Sequence, residues 1–141
     1  MPRRSPQTYR LLPHEIKAAK VGDVFRQAGI NVCVDKLPLQ CDRYMEIDGT
    51  PFHIEIDMGT ESPRQLRSLF AKYCGIEGFV LFLTVSEKQI QIAKSVAYSA
   101  EDVTLFALID DVLKNPFAEI WTDTSGKRNC VPKPTPKTLA P

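Results

Sequence analysis

The dipeptide Asp48-Gly49 constrains the fold of this chain more than any other feature. It separates two stretches that alternate apolar and polar residues, RYMEI and TPFHIEID. This is the pattern of a β-hairpin closed by a two-residue type I′ turn. If Asp48-Gly49 forms the loop, the pairing register is fixed, so that Asp42 faces Glu55 and Tyr44 faces His53.

The hairpin concentrates acidic side chains on one face. In its second strand His53, Glu55 and Asp57 point the same way, because side chains alternate along a strand. Facing carboxylates on Asp42 and Glu55 would lie about 5 Å apart and repel each other. We therefore expect a cation beside them, either a divalent metal or a basic side chain from the next helix. Alternatively, Glu55 and Asp57 lie on the solvated face of an edge hairpin, as antiparallel sheets often show.

A helix with a basic face follows the hairpin. Ser62-Pro63-Arg64-Gln65 matches a capping box with proline at the first helical position. Apolar residues then recur at helical spacing as far as Tyr73. Arg64, Arg67 and Lys72 lie on the other face, where they either bind phosphate groups or are simply solvated.

The remaining segments predict a mixed sheet flanked by helices. Strands are expected over 30–34, 79–85, 103–109 and 117–121, the last at a sheet edge, and helices over 14–28, 86–97 and 110–115. Consecutive early strands suggest an antiparallel meander, and the later β-α-β alternation suggests parallel additions. The predicted fold class is therefore α/β (α+β).

Composition limits the classes of protein to consider. A chain of 141 residues with 43% apolar residues is large enough for one domain with its own core. It contains no apolar run of about 20 residues and no apolar segment typical of a secretory signal, so we expect a cytoplasmic protein outside the membrane. The four cysteines lack metal-ligand spacing and are interpreted as reduced thiols.

Charge is segregated along the chain, although the net charge is only +1. Residues 1–13 carry three arginines and no acid, and residues 124–141 carry four basic residues and no acid, which leaves an acidic body over 14–123. We predict a basic, proline-rich arm (1–13), a globular domain (14–123) and a disordered Pro/Lys-rich tail (124–141). Such arms either hold polyanions near the acidic body or only increase solubility.

The predicted αβββαβ order, with Asp42 opening the second strand and Glu55-Ile56-Asp57 on the third, resembles the PD-(D/E)xK nuclease superfamily. More narrowly, residues 11–109 resemble the replication-relaxation family of plasmid and mobile-element proteins. The matching residues are Cys41-Asp42 (Pro-Asp in that family), the string FHIEIDMGTES over 52–62, Leu66, Tyr73 and the apolar strand over 80–84.

The resemblance implies a restriction-endonuclease-like domain. Asp42, Glu55 and Asp57 would then hold Mg²⁺ or Mn²⁺ near a scissile phosphate, and Lys72 would be the catalytic cation that binds the phosphate. The chain departs from the superfamily at its usual lysine, two residues after the acid, which is Asp57 here. Arg64 and Arg67 would bind DNA phosphates. The implied partner is DNA, together with replication or transfer proteins, and such folds often form homodimers. The alternative is a catalytically inactive module of the same fold that binds DNA or a replication protein.

Two other residues have two interpretations each. Glu15, at the start of the first helix, either adds a carboxylate to the site or is solvated. His53 either acts as a general base or packs against Tyr44.

Overall fold

The computed structural model describes residues 6–34 and 40–136, and within them seven strands form one mixed sheet in the order β1-β2-β3-β4-β5-β6-β7. The strands are β1 (Val32–Cys33), β2 (Arg43–Ile47), β3 (Thr50–Ile56), β4 (Phe79–Thr84), β5 (Thr104–Leu108), β6 (Trp121–Thr122) and β7 (Arg128–Asn129). The helices are α1 (Pro6–Arg26), α2 (Pro63–Ala71), α3 (Glu87–Val96) and α4 (Ile109–Lys114).

The predicted hairpin is confirmed in its register. Strands β2 and β3 pair antiparallel with Tyr44 opposite His53 and Glu46 opposite Pro51. Asp48 and Gly49 both have positive φ, at 49° and 83°, as a type I′ turn requires. The neighbouring positions Asp42 and Glu55 therefore come together where β2 begins and β3 is about to end.

The rest of the sheet has the predicted mixture of directions. Strands β3, β4 and β5 are parallel neighbours, connected through α2 and α3, while β1-β2-β3 and β5-β6-β7 pair antiparallel. Strand β3 is consequently internal to the sheet. Glu55 and Asp57 are only 5% and 3% exposed, so the interpretation of these acids as the solvated face of an edge hairpin is wrong.

Helices cover both faces of the sheet. One apolar cluster packs α1 and α4 against one face, with Phe25, Ile54 and Trp121 among its buried members. A second cluster packs α2 and α3 against the other face around Phe70 and Phe82. The alternation along β3 sends Ile54 to the first cluster and Glu55 toward the α2 side. The mixed, helix-flanked sheet predicted from the sequence is thus present.

The capping box predicted for α2 is confirmed. Ser62 Oγ accepts a hydrogen bond from the Gln65 backbone N–H at 3.2 Å, and Gln65 Oε1 accepts one from the Ser62 N–H at 2.7 Å. At α3 the structure shows one half of the predicted box, in which Ser86 Oγ accepts the Gln89 N–H at 3.1 Å. The cap of α2 fixes the chain between the acidic strand and the basic helix.

Both predicted domain boundaries need adjustment. The helix predicted to begin at His14 is already present at Pro6, the first described residue, and Pro13 lies inside it. The sheet continues beyond Asp123 into the predicted tail, where β7 pairs with β6 and Val131 is buried in the core. The predicted strand over 117–121 is therefore a short strand, β6, and is not an edge. Residues 1–5 of the arm and 137–141 of the tail lie outside the described residues.

None of the helices within the described residues has the length and apolar character needed to cross a membrane.

Candidate functional site

A cleft of about 360 Å³ opens where β2 begins and β3 ends. In α/β sheets, ligands commonly bind beyond the carboxyl ends of parallel strands, and β3 and β4 end here. The charged side chains that line the cleft are His14, Asp42, Glu55, Asp57 and Glu61. Three of the four predicted catalytic residues, Asp42, Glu55 and Asp57, are thus brought to one cleft.

Asp42 is fixed by two hydrogen-bond donors. Its Oδ2 accepts the backbone N–H of Ile56 at 2.8 Å and lies 3.2 Å from Nε2 of His14. Burial acts to raise the pKa of the Asp42 carboxyl, but the hydrogen bonds from His14 and the Ile56 N–H together hold this pKa below its ordinary value. Asp42 is therefore ionised at neutral pH.

Glu55 is deeper and more weakly ionised. Burial, followed by the negative charge of Asp42, raises the pKa of Glu55 to about 7, against the opposing effects of the Tyr73 hydroxyl and Lys72. The Tyr73 hydroxyl donates a hydrogen bond to Glu55 Oε1, and Lys72 Nζ lies 2.9 Å from the same oxygen. Because Asp42 is ionised and the pKa of Glu55 is about 7, the two acids together carry between one and two negative charges near neutral pH.

Asp57 is held by the protein on both of its oxygens. Oδ1 accepts the Gly59 N–H at 3.1 Å, and Oδ2 accepts the Thr84 hydroxyl at 2.9 Å. Thr84 ends β4, so the contact joins the ends of two parallel strands. Asp57 is consequently less available to a ligand than Asp42 or Glu55.

Two basic side chains lie beside the facing acids, where a cation was expected. Lys72, immediately after α2, supplies the basic side chain predicted from the following helix. His14, on α1, supplies a second cation beside Asp42, and the hydrogen bond to that carboxylate raises the pKa of His14 to about 9. At neutral pH each acid therefore has a positively charged neighbour.

Glu15 does not join the cleft lining. Its carboxylate is 55% exposed and lies 3.5 Å from the guanidinium of Arg43, which is buried and also donates a hydrogen bond to the Asp42 carbonyl oxygen at 2.6 Å. Arg43 thus connects α1 to the strand that carries Asp42. Neither of the two earlier interpretations of Glu15 describes this contact, which positions the helix.

The predicted phosphate-binding arginines lie outside the cleft lining. Both Arg64 and Arg67 are exposed on α2. Arg64 is two helical turns before Lys72, on the same face, because residues four apart share a face. Arg67 is directed to another neighbour, with its guanidinium carbon 5.8 Å from the centre of the Tyr98 ring.

His53 is a packed residue, as one of its two interpretations held. It is 6% exposed and its ring lies between those of Tyr44 and Tyr73, with centroid distances of 5.2 and 5.5 Å. Tyr73 in turn carries the hydroxyl that reaches Glu55. His53 therefore helps to position Tyr73, and through it Glu55, by packing.

Sequence reasoning missed His14 and Glu61 as residues of the cleft. Burial and the nearby charges of Asp57 and Asp42 raise the pKa of Glu61. Glu61 belongs to the matched string over 52–62, which could have indicated it. No local pattern indicates His14, which lies 28 positions before Asp42 in the chain.

The donor set was tested against a divalent cation. Within the described ranges, no group of three or more His, Cys, Asp and Glu side chains is arranged to hold a metal ion. Mg²⁺, however, is often held by only one or two carboxylates, together with waters and substrate phosphates. The hard oxygens of Asp42 and Glu55 fit that smaller requirement.

Comparison of the chain with models of protein families, with curated proteins and with solved structures finds no match.

Proposed function

We propose that this protein is a DNA-directed nuclease of mobile-element replication or transfer that cleaves phosphodiester bonds with Mg²⁺ or Mn²⁺. The observation that carries the proposal is that Asp42 and Glu55 line one cleft while Lys72, from outside its lining, brings its Nζ to 2.9 Å from Glu55. Two carboxylates and a lysine are the groups that the nuclease resemblance requires. The mobile-element setting is supported by the matched string over 52–62 alone.

The element order also supports the proposal. The chain has α1, β1, β2, β3, α2 and β4 in succession, the αβββαβ order of the restriction-endonuclease-like core to which the resemblance pointed. The lysine that such a core usually carries two residues after the second acid is replaced by Asp57. Lys72 reaches the same acid from α2, so the lysine function is retained from a different element.

Each group has a role that follows from its chemistry. Asp42 and Glu55 would hold the divalent cation, which when bound supplies a polarised water and offsets charge on the phosphate. The ammonium of Lys72 is positioned to stabilise negative charge that develops on the phosphate. Arg64, on the same helix face, is placed to bind the DNA backbone farther along.

Cleavage assays test this proposal directly. Purified protein should cut duplex, single-stranded or branched DNA in the presence of Mg²⁺ or Mn²⁺ and not in their absence. Asp42→Asn and Glu55→Gln should each abolish cleavage while circular dichroism shows an unchanged fold. Glu77→Gln, which removes a carboxylate from an exposed position outside the cleft lining, is the matched control and should retain activity. Failure to cut any of these DNAs with either metal contradicts the enzymatic proposal.

A second candidate function is a catalytically inactive module that binds DNA or a replication protein. The observation that favours it is that His14 and Lys72 already neutralise the two acids, so the cleft is stable without a metal. It predicts no heat in calorimetric titrations with Mg²⁺ or Mn²⁺, combined with DNA affinity that falls steeply as salt rises. Metal binding that requires Asp42 and Glu55 would instead select the nuclease.

A further inference from the structure

His14 reaches the acidic pair from an element that the resemblance did not connect with it. Its Nε2 lies 3.2 Å from Asp42 Oδ2, and its side chain is 21% exposed at the wall of the cleft. Its other ring nitrogen, Nδ1, lies 3.6 Å from Glu15. The imidazole is thus directed at the acid pair by carboxylates on both sides.

The contact places a positively charged ring against a carboxylate that would bind the metal. Asp42 Oδ2 already accepts the Ile56 N–H, so its contact with His14 completes the surroundings of that atom. An imidazolium and a divalent cation cannot approach the same carboxylate oxygen together, because they overlap in space and repel each other. A metal that approaches either oxygen of Asp42 is therefore repelled by the His14 imidazolium, and the two cations compete for the carboxylate.

We propose that His14 is a built-in counter-ion of the acidic pair that competes with a divalent cation for Asp42. The inference rests on the proposed metal-dependent function. In the absence of metal, the imidazole compensates the negative charge and keeps Asp42 in place. A divalent cation at Asp42 would take over this compensation and weaken the contact with His14.

Calorimetric titration of the full chain with Mn²⁺ tests the competition. His14→Ala should bind Mn²⁺ at least about fivefold more tightly than the wild type, at the lower end of typical couplings between two ligands of one site. Lys17→Ala is the matched control, because it removes one positive charge from the same helix about one turn away. The Mn²⁺ affinity of Lys17→Ala should stay within about twofold of the wild type, because charges that are exposed to solvent are screened. A gain in Lys17→Ala equal to that in His14→Ala would show that the loss of any positive charge on α1 strengthens Mn²⁺ binding.

The outcomes separate this inference from the function on which it rests. If wild type and His14→Ala bind Mn²⁺ equally, or His14→Ala binds more weakly, the competition is overturned and the metal site stands. If neither binds Mn²⁺, the proposed metal-dependent function is overturned together with the competition. Asp42→Asn should lose binding in both backgrounds. If His14→Ala does not fold, His14→Gln, which keeps the size but lacks the charge, is measured in its place with the same expected direction.

Discussion

The ion pair between His14 and Asp42 makes folding depend on protonation. In the folded protein the pKa of His14 is about 9, compared with an ordinary value of 6.5. A raised pKa means that the folded state binds the proton more tightly than the unfolded state does. The resulting stabilisation is fully present below pH 6.5 and is lost as the pH rises through 9.

We therefore predict that the free energy of unfolding falls by about 2–3 kcal/mol between pH 6.5 and 9. One pKa unit corresponds to about 1.4 kcal/mol, and the full shift is reduced here because solvent screens the partly exposed ring. Glu55, whose pKa is raised to about 7, acts in the same direction at lower pH, between about 4.5 and 7. Urea denaturation at a series of pH values in metal-free buffer measures both effects.

Two substitutions test whether His14 causes the loss of stability at alkaline pH. His14→Gln should flatten the dependence between pH 7 and 9, whereas Lys17→Gln, on the same helix, should leave it unchanged. An unaltered slope in His14→Gln would show that groups other than His14 cause the loss of stability.

The two members of this ion pair were not equally accessible to prediction. Asp42 could be placed opposite Glu55 because a two-residue turn at Asp48-Gly49 determines the register of the whole hairpin. His14 could not be placed, because the direction of a helical side chain depends on how the helix rotates onto its core. Here that rotation follows from the burial of Ala18, Val21 and Phe25, and the apolar stripe in the sequence indicates the buried face but not the strand residue that His14 meets.

At the scale of secondary-structure elements, the close approach of Gly78 to β3 is a strong constraint. Gly78 precedes β4 with a φ of 88°, and a β-carbon there would overlap the carbonyl oxygen of Pro51 and stand 2.9 Å from its carbonyl carbon. Gly75 also has a positive φ, 72°, but a β-carbon there would meet nothing within 4 Å. Replacing Gly75 therefore introduces backbone strain alone, whereas replacing Gly78 introduces both backbone strain and steric overlap.

We predict that Gly78→Ala lowers the free energy of unfolding by about 1–3 kcal/mol more than Gly75→Ala does. Both variants lose about 1–2 kcal/mol because a side chain disfavours positive φ, but only Gly78→Ala must also displace the backbone of β3. Urea denaturation of the two variants measures the difference. Equal losses would mean that β3 and β4 separate at Pro51 with little cost, and then the parallel pairing near the site is not rigid.

Local signals predicted the elements whose determinants are local. The capping residues Ser62 and Gln65 gave the start of α2, and the apolar run after Phe79 gave β4. Strand β7 escaped prediction, and β6 was predicted over 117–121 instead of at Trp121–Thr122. Each strand has two residues and depends on distant contacts, among them the burial of Trp121 and Val131. The basic, proline-rich composition after Thr124 is typical of a disordered tail, so it gives no indication that this segment pairs with β6 and buries Val131.

At the scale of the whole molecule, the attachment of the C-terminal segment matters for the charge pattern. Val131 is 1% exposed and belongs to the core on the α1 side of the sheet. The exposed basic residues Lys127, Arg128 and Lys133 flank it, so three positive charges are fixed to the acidic body. A fixed basic surface can contact DNA phosphates without the entropic cost of ordering a free tail.

If this segment contacts DNA, replacing Lys127, Arg128 and Lys133 together by glutamine should weaken binding to DNA of any sequence. Each lost phosphate contact lowers the slope of log affinity against log salt by about 0.9, so the slope should become shallower by up to about 3. Fluorescence anisotropy with labelled duplex DNA at several salt concentrations measures this slope. Replacing Lys17, Lys88 and Lys114 by glutamine removes the same charge from α1, α3 and α4 and should change the slope by less than 1. Equal changes in the two triple variants would show that DNA responds to the net charge of the molecule, and the C-terminal segment would then act as a structural strap on the sheet.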